Sequence, residues 1–425
     1  MEPLDKEVKR KSKEYAVGID ITDSFAQISV GAVDTDGVET MSVNVGKTDF
    51  LVPTALFKRS EVNQWFAGFD AIKYKETEGY FIDRLISKAR ANETVTVGTE
   101  EFKPSALMAL FLKRLLTLAG RVTPLSGIVS IMITVDILDG TLINVLNEAV
   151  SSLSIKGASV HFQNHMESFY NYMLYQPRDL WNRDVVLIDS TGEYLKSLRM
   201  ECNKNTTPIV AFIDSHEDVD LKSEEFDEPG YPGKFSAFAE SIVKGHMISS
   251  VYLIGDSFKY EWCKDGISYL CKKGRVFQGN NLFSKGACYG AKNLVSPSIL
   301  SSGYVFLGND KLKSNVGINV LKRGENAYLP LLDGGINWFD AHKECDIILN
   351  QGNKLTLIVT PLTGKNPETV DITMGDLPKR PPKTTRLNVK VRMQSENRMQ
   401  VTIKDLGFGE LFPAANIEWN EVISV

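Results

Sequence analysis

The stretch "VVLIDSTGEYLKSLRM", residues 185–200, decides the architecture that we predict for this chain. An apolar run ends in Asp189, passes through Ser-Thr-Gly, and continues as a second, alternating run. This pattern predicts two antiparallel strands joined by a tight turn. Backbone N–H groups in a glycine turn approach a phosphate closely, because no Cβ stands in the way. Glu193 stands in this turn, however, and it places a carboxylate where a phosphate favours bare backbone.

The same pattern occurs near the N-terminus. The motif Val-x-Ile-Asp-x-Thr is shared by residues 17–22 and 186–191. In both halves a third strand is predicted next, followed by a helix, a strand and a second helix. The predicted strands lie within 15–33, 34–45, 127–140, 207–214 and 247–262, and the predicted helices within 104–120, 141–153 and 235–245. We therefore predict two copies of one α/β plan that face each other across a cleft; two ordinary α/β units of coincidental similarity are the alternative.

The pattern of the sequence changes after about residue 300. Short alternating runs follow one another, separated by Gly, Pro and Asn, as is typical of a β-sandwich. The Ser/Pro-rich stretch at 294–303 indicates the boundary. The predicted organisation is a disordered tail at 1–14, an α/β domain at 15–298 with lobe I at about 15–182 and lobe II at about 183–298, and a β-sandwich at 299–425.

Composition excludes several classes of function. The 425 residues carry 48 basic and 53 acidic side chains, so the chain lacks the basic excess of a nucleic-acid binder. No apolar run approaches the ~20 residues that span a bilayer, and the N-terminus lacks the apolar stretch of a secretory signal. The five cysteines are widely spaced without a CxxC pair, and the histidines form no zinc motif. We therefore predict idle thiols, no structural metal, no nucleic-acid or membrane partner, and a cytoplasmic location.

Several stretches follow one another as a known succession of motifs. They are "VGIDITDSFAQISV" at 17–30, "IMITVDILDGTLINVLNEAV" at 131–150, "VVLIDSTGEYLKSLRM" at 185–200, "VYLIGDS" at 251–257, "FSKGACYGA" at 283–291 and the alternating run at 368–406. In this order they resemble the DnaK-type heat-shock chaperone family of the actin, sugar-kinase and heat-shock superfamily. The resemblance covers the chain from about residue 15 onward and points to an uncharacterised bacterial branch. It implies a two-lobed actin-like (ribonuclease H-like, duplicated) ATPase-type domain, followed by a β-sandwich that resembles the chaperone substrate-binding domain.

The resemblance also implies where a nucleotide would lie. The positions are Asp20, Thr22, Asp23, Ser24, Asp189, Thr191, Gly192, Glu193, Gly255 and Ser257, with Asp20 and Asp189 holding magnesium if Mg-ATP or Mg-ADP binds. An aspartate that ends a strand at a turn is also a common structural device, so a purely structural role for these two residues stays open.

The phosphate turns depart from the pattern of the family. The first turn, Thr22-Asp23-Ser24, has lost its glycine, and the second has Thr191 and Glu193 where the family has glycines. Asp23 and Glu193 would repel a phosphate, since two like charges ~4 Å apart repel by about 4 kcal/mol at an effective dielectric constant of 20. We therefore expect no cofactor and a degenerate, vestigial site.

Further family residues are replaced or missing. Asn164 aligns with the catalytic glutamate of the family and cannot act as a base, and Lys73 is displaced by one position from the catalytic lysine. Most of the upper subdomain of lobe II is absent, because only a short stretch separates Asp189 from Gly255. The acidic residues 216–233 occupy its place and are predicted to form a solvated loop.

Three functions remain open on this basis. The first is a pseudo-ATPase, a non-catalytic interaction or scaffold protein that binds another protein or a peptide through the sandwich or the cleft. The second is an ATP-binding chaperone or weak ATPase, and the third is a nucleotide or small-molecule sensor without turnover. The departures in the turns favour the first. The sequence does not address oligomeric state or filament formation.

Overall fold

The computed structural model describes residues 13–220 and 230–425, except residues 45, 47, 61, 154, 156, 193, 260 and 363–365. Two compact units make up the chain: the first ends at Tyr304 and the second begins at Val305. The sequence placed this boundary a few residues earlier, after residue 298. The predicted tail at 1–14 lies outside the described residues, except for Lys13 and Glu14. In the described ranges, no helix has the length and apolar character needed to cross a membrane.

Lobe I, the N-terminal half of the first unit, is built on a six-stranded mixed sheet. In chain order its elements are β1 (Tyr15–Ile21), β2 (Phe25–Ala32), β3 (Glu39–Thr40), β4 (Val52–Pro53), β5 (Leu56–Arg59), β6 (Trp65–Ala67), α1 (Phe69–Tyr74), β7 (Gly79–Ile82), α2 (Leu85–Ala91), β8 (Val95–Val97), β9 (Glu100–Phe102), α3 (Pro104–Ala119), β10 (Ile128–Val135), α4 (Gly140–Ser152), β11 (Ser159–Asn164) and α5 (His165–Leu174). The strand order is β11-β10-β1-β2-β3, with β4 also paired to β2. The strands β5, β6 and β7 form a separate small sheet, and β8 pairs with β9.

Lobe II, the remainder of the first unit, is built on a second mixed sheet. Its elements are β12 (Asp184–Asp189), β13 (Tyr194–Asn203), β14 (Ile209–Asp220), α6 (Tyr231–Val243), β15 (Ile248–Ile254), α7 (Lys264–Cys271), β16 (Arg275–Gln278), α8 (Leu282–Val295) and α9 (Ile299–Ser302), and β17 (Tyr304–Phe306) crosses the unit boundary. Five of the strands lie in the order β16-β15-β12-β13-β14. In this sheet β12 is antiparallel to β13 and parallel to β15, as β1 is antiparallel to β2 and parallel to β10.

The two sheets therefore repeat one order of strands. The three antiparallel strands, the helix, the parallel strand and the next helix recur in the same sequence in both lobes. The third strand of lobe I is shorter than predicted, since β3 covers only Glu39–Thr40. The strands at the centre of each sheet, β1, β2, β12 and β15, are buried along almost their whole length, and most of their residues are apolar. Apolar continuity in the sequence thus predicted these strands correctly.

The predicted solvated loop at 216–233 is wrong at both of its ends. Strand β14 continues to Asp220, paired with Tyr194 of β13, and helix α6 begins at Tyr231. The backbone of β13 supplies hydrogen-bonding partners regardless of side-chain charge, so an acidic run extends the hairpin. Residues 221–229 lie outside the described residues.

Helix α8 of lobe II packs on the sheet of lobe I at very short range. A Cβ at Gly18 of β1 would lie 2.2 Å from the backbone oxygen of Ser284 and 2.2 Å from the backbone nitrogen of Cys288. A Cβ at Gly286 of α8 would likewise lie 1.9 Å from the backbone oxygen of Ser168 on α5. Only glycine permits these contacts, because the obstructing atoms are backbone atoms of regular elements.

The second unit consists of two four-stranded antiparallel sheets. Its strands are β18 (Ser314–Lys322), β19 (Glu325–Leu332), β20 (His342–Leu349), β21 (Lys354–Pro361), β22 (Glu368–Thr373), β23 (Thr385–Ser395), β24 (Arg398–Gly407) and β25 (Glu418–Ser424). The sheet orders are β19-β18-β21-β22 and β20-β23-β24-β25. One cluster of buried side chains, among them Ile318, Leu357, Val389 and Val401, draws on both sheets. The alternation seen in the sequence follows from the single buried face of each strand.

A buried ion pair holds the end of β24 in the second unit. Arg380 donates to both carboxylate oxygens of Asp405 at 2.7 and 2.8 Å, and the backbone N–H groups of Gly407 and Ala415 donate to the same carboxylate. The side chain of Asp405 is 0% exposed. The hydrogen bonds from Arg380 outweigh the cost of burial and lower the pKa of Asp405 to about 2. The ionised carboxylate is therefore stabilised in the fold.

Gly18→Ala is expected to destabilise the first unit by about 3 kcal/mol, at the upper end of the cost of overpacking, because neither α8 nor β1 can yield without losing its backbone pairing. Gly37→Ala is the matched control, since no atom lies within 4 Å of its Cβ position. The measurement is the midpoint of urea-induced unfolding of the two variants. Equal midpoints would contradict a rigid contact between α8 and β1.

Arg380→Met is expected to cost about 3–5 kcal/mol at neutral pH, because it leaves the buried Asp405 carboxylate without its counter-charge. Since the pKa of Asp405 is lower in the folded than in the unfolded chain, its contribution is present above about pH 4 and is lost as the pH falls towards about 2. The difference in thermal unfolding temperature between the variant and the wild type should therefore become smaller as the pH falls from about 4 to about 2. Lys390→Met, which breaks the exposed pair with Glu344, should have a much smaller effect. A difference in unfolding temperature that stays constant from pH 7 to pH 2 would show that the ion pair does not stabilise the fold.

Candidate functional site

The first turn of the cleft, between β1 and β2, is closed by its own threonine. The hydroxyl of Thr22 donates to the carbonyl of Phe25 at 3.0 Å and accepts from the N–H groups of Ser24 and Phe25 at 3.3 and 3.1 Å. The N–H of Thr22 donates to the carbonyl of Phe25 at 2.8 Å. These N–H groups therefore have partners inside the turn, as in other turns initiated by threonine. They do not converge on an external anion.

Asp23 does not project towards its counterpart turn but contacts helix α2. Its carboxylate accepts from the backbone N–H of Ser87 at 2.9 Å and from the Ser87 hydroxyl. Ser87 is the third residue of α2, so its N–H has no partner within the helix. Asp23 thus caps α2 from another part of the chain, and its negative charge also suits the positive end of the helix. The expected clash between Asp23 and a phosphate is replaced by a structural contact.

Asp20 is paired with a histidine that the sequence did not single out. His165, the first residue of α5, places its Nε2 2.9 Å from Oδ1 of Asp20, whose side chain is 4% exposed. The imidazole stacks on Phe283 of α8, with ring centroids 3.9 Å apart and 11° between the planes. Three elements therefore meet at this carboxylate: β1, α5 and α8. The oxygen expected to approach magnesium instead faces an imidazole nitrogen.

The second turn follows β12 and is organised around Asp189. Its Oδ1 accepts from the backbone N–H of Thr191 at 2.8 Å and from the Thr191 hydroxyl at 2.6 Å. The space around the Cβ position of Gly192 is open, so packing does not require a glycine there. Glu193, the residue on which the sequence interpretation depended most, lies outside the described residues.

The segment after β15 packs tightly against the second turn. Gly255 has φ +105°, and a Cβ there would lie 2.2 Å from Oγ of Ser190, so glycine is required for both reasons. The N–H of Gly255 donates to the side chain of Asn280 at 3.1 Å, and Asn280 also donates to Asp256. Its backbone oxygen accepts from Gln27 of β2 at 2.6 Å. Asn280 thus ties the segment to lobe I. The carbonyl of Ser257 accepts from the indole of Trp262.

Asp20 and His165 are joined by a hydrogen bond, and we call these two residues together with Asp189, which interacts with both electrostatically, the aspartate–histidine cluster. All three side chains are largely buried, and Asp189 interacts electrostatically with both of the others. Burial raises the pKa of Asp189, and the negative charge of Asp20 acts in the same direction. The hydrogen bonds from Thr191 and the charge of His165 oppose this shift without cancelling it. The site therefore disfavours a second negative charge at its centre.

A neighbouring ion pair holds helix α2 against lobe I. Arg90 donates to Asp136 at 2.6 Å and to the carbonyl of Ile137 at 2.6 Å. Burial tends to raise the pKa of Asp136, but the hydrogen bond and charge of Arg90 outweigh it, so the pKa is lowered. Together with the Asp23 cap, this contact fixes both ends of α2 beside the first turn.

The structure thus gives most of the described residues of the candidate site a partner within the protein. Asn164, which the sequence resemblance aligned with a catalytic glutamate, accepts from the N–H of Glu167 at 2.9 Å and is the N-cap of α5. Asn three residues before Glu is a capping pattern, so this role was visible in the sequence. The contacts of His165 and Ser87 were not visible in the sequence, because 145 residues separate His165 from Asp20 and 64 separate Ser87 from Asp23. Lys73 lies on α1, with Nζ 5.8 Å from the ring centroid of Tyr74.

The described residues contain no group of three or more His, Cys, Asp or Glu side chains placed to hold a metal ion. The model of the "Family of unknown function (DUF5716) C-terminal" matches residues 37–309. The model of the "Domain of unknown function (DUF8552)" matches residues 311–425. No curated protein matches the chain. The two matches meet close to the boundary between the compact units.

Asp189→Asn is expected to raise the thermal unfolding temperature at pH 7. Asparagine keeps an oxygen that accepts from Thr191 but removes a charge that burial makes unfavourable. Since the folded pKa of Asp189 lies above the unfolded one, this cost exists only above about pH 4, so the gain should vanish below that pH.

Asp256→Asn is the matched control, and its expected change in unfolding temperature has the opposite sign. Asp256 is exposed, and its pKa is lowered mainly by its hydrogen bond from Lys259. Removing its charge should slightly lower the unfolding temperature at pH 7. A lower unfolding temperature for Asp189→Asn at pH 7 would show that the Asp189 charge stabilises the fold, contrary to our interpretation.

Proposed function

The chain belongs to the DUF5716 family of unknown function, and from the geometry of its cleft we propose that it is a non-catalytic interaction or scaffold protein, a pseudo-ATPase. The finer description that we propose for its fold is a two-lobed actin-like unit followed by a sandwich of the chaperone substrate-binding type. The repeated strand order of the two sheets and the two antiparallel sheets of the second unit support this description. Fold alone does not carry function, so the proposal depends on the cleft.

The contact between His165 and Asp20 carries the proposal. A magnesium–phosphate shell needs free carboxylate oxygens, and Oδ1 of Asp20 is 2.9 Å from the imidazole. The ring is held between this carboxylate and Phe283, so displacing it would break two contacts at once. The residues at this position therefore do not fit a Mg-nucleotide, and no hydrolytic step follows from them.

The two phosphate turns support the same proposal. Thr22 and Thr191 form hydrogen bonds within their own turns, and the carboxylate of Asp23 accepts from the N–H of Ser87 in α2. A nucleotide would have to replace each of these contacts with one to phosphate. The net free energy of these exchanges is close to zero at best, because each hydrogen bond gained with the nucleotide is offset by one lost within the protein.

The second unit offers the surface on which a protein or peptide partner is proposed to bind. Strands β19, β22, β20 and β25 end the two sheets, and the edge of a terminal strand presents backbone groups that an extended peptide can pair with. All five cysteines are free thiols, which fits the cytoplasmic location that we propose.

Mg-ATP and Mg-ADP are expected to leave the thermal unfolding curve of the full chain unchanged. A ligand at 100 times its Kd stabilises a protein by about 2.7 kcal/mol, which is readily measured. A shift that requires Mg²⁺ and is lost in Asp20→Asn would overturn the proposal in favour of an ATP-binding chaperone or weak ATPase. A shift that persists in Asp20→Asn without hydrolysis would favour a sensor. Asp256→Asn controls for a general effect of removing a carboxylate, since Asp256 is exposed.

A further inference from the structure

A groove runs along helix α3 on the side of strand β6 and helix α1. It consists of two adjoining cavities of ≈ 320 and ≈ 350 Å³, each near the lower limit of about 300 Å³ for ligand pockets. Both are lined by Ala67, Asp70, Arg114 and Thr117, so they form one continuous depression, which we call the α3 groove. The ion pair between Asp70 and Arg114, 3.2 Å long, lies where the two cavities meet.

The floor and one wall of the α3 groove are apolar. Phe111 and Leu115 of α3 lie in one cavity, and Leu56 and Trp65 lie in the other. Phe69 of α1 lines the groove and is 48% exposed. Exposed aromatic side chains beside an apolar cavity are typical of a surface that anchors the side chains of a partner.

The rim of the α3 groove is positively charged. Its charged lining residues are Lys113, Arg114, Arg121 and Asp70, three cations against one anion. Arg121 donates to the carbonyls of Ser42 and Val43, at 2.6 and 2.9 Å, so its charge is held in place without being neutralised. In the part of the chain that the structure describes, Lys113 has no hydrogen-bonding or ion-pair partner. A surplus of positive charge therefore faces the groove.

We propose that the α3 groove binds an extended, acidic peptide segment of a partner protein, with apolar side chains in the two cavities and carboxylates on the basic rim. Charge complementarity selects this chemistry, because a basic or neutral peptide would leave the net positive charge of the rim uncompensated. Leu110 and Leu118 line opposite cavities, and eight residues of helix rise by about 12 Å. An extended segment of about four residues covers that length.

This interaction goes beyond the proposed function of the cleft. The residues that line the groove include none of the aspartate–histidine cluster and none of the residues of the two phosphate turns. Nucleotide binding in the cleft would leave the peptide proposal intact, and loss of peptide binding would leave the cleft proposal intact. The two experiments are therefore distinguishable.

The test is binding of the full chain to immobilised seven-residue peptides in three sets, acidic, neutral and basic, each with two aromatic or aliphatic residues at varied positions. We expect binding to acidic members only, weakening as salt rises because exposed charges are screened. Arg114→Glu combined with Arg121→Glu should weaken binding at least tenfold. Phe69→Ala should weaken it as well, at unchanged salt dependence, since it removes an anchor and no charge.

Lys103→Glu is the matched control, because Lys103 immediately precedes α3 and lines neither cavity. It should bind acidic peptides like the wild type. Thermal unfolding of every variant checks that the fold is retained; this is expected, since Arg114 and Phe69 are about half exposed. Absence of binding in all three sets, a preference for basic peptides, or equal loss in Lys103→Glu would each overturn the proposal.

Discussion

The close contact between helix α8 and strand β1 is the constraint on which the rest of the first unit depends. Gly18 lets the backbone of α8 approach to a distance that no side chain would permit, and Gly286 does the same between α8 and α5. Helix α8 follows the sheet of lobe II but packs on the sheet of lobe I, so it joins the two lobes. It also carries Phe283, which holds the ring of His165 beside Asp20. The surroundings of Asp20 thus depend on a backbone contact.

The polar groups of the cleft are satisfied within the protein. His165 pairs with Asp20, Thr191 with Asp189, and Asp23 with the start of α2. Buried polar groups are costly when unpaired, so this arrangement stabilises the fold. The raised pKa of Asp189 has the same origin, because two carboxylates share a buried site with one imidazole.

Much of the fold was predictable from local patterns. The strands β1, β2, β12 and β15 are mostly apolar and almost wholly buried, and the strands of the second unit alternate, because their surroundings differ in how many faces are buried. The prediction of a loop at 216–233 was wrong at its ends because it relied on acidic composition. The backbone of β13 pairs with an acidic strand as well as with any other. The capping role of Asn164 was also visible, because it depends on a residue only three positions away.

Local patterns in the sequence indicated the repeated strand–helix plan of the first unit and the alternating strands of the second, since each depends on residues close together in the chain. The contacts of the residues in the two turns became apparent only in the folded chain. Asp23 caps a helix instead of repelling a phosphate, and Asp20 meets a histidine 145 residues away. The α3 groove, too, arises only when residues 43–70 lie beside α3. Such contacts depend on packing between distant segments, which no local pattern of residues encodes.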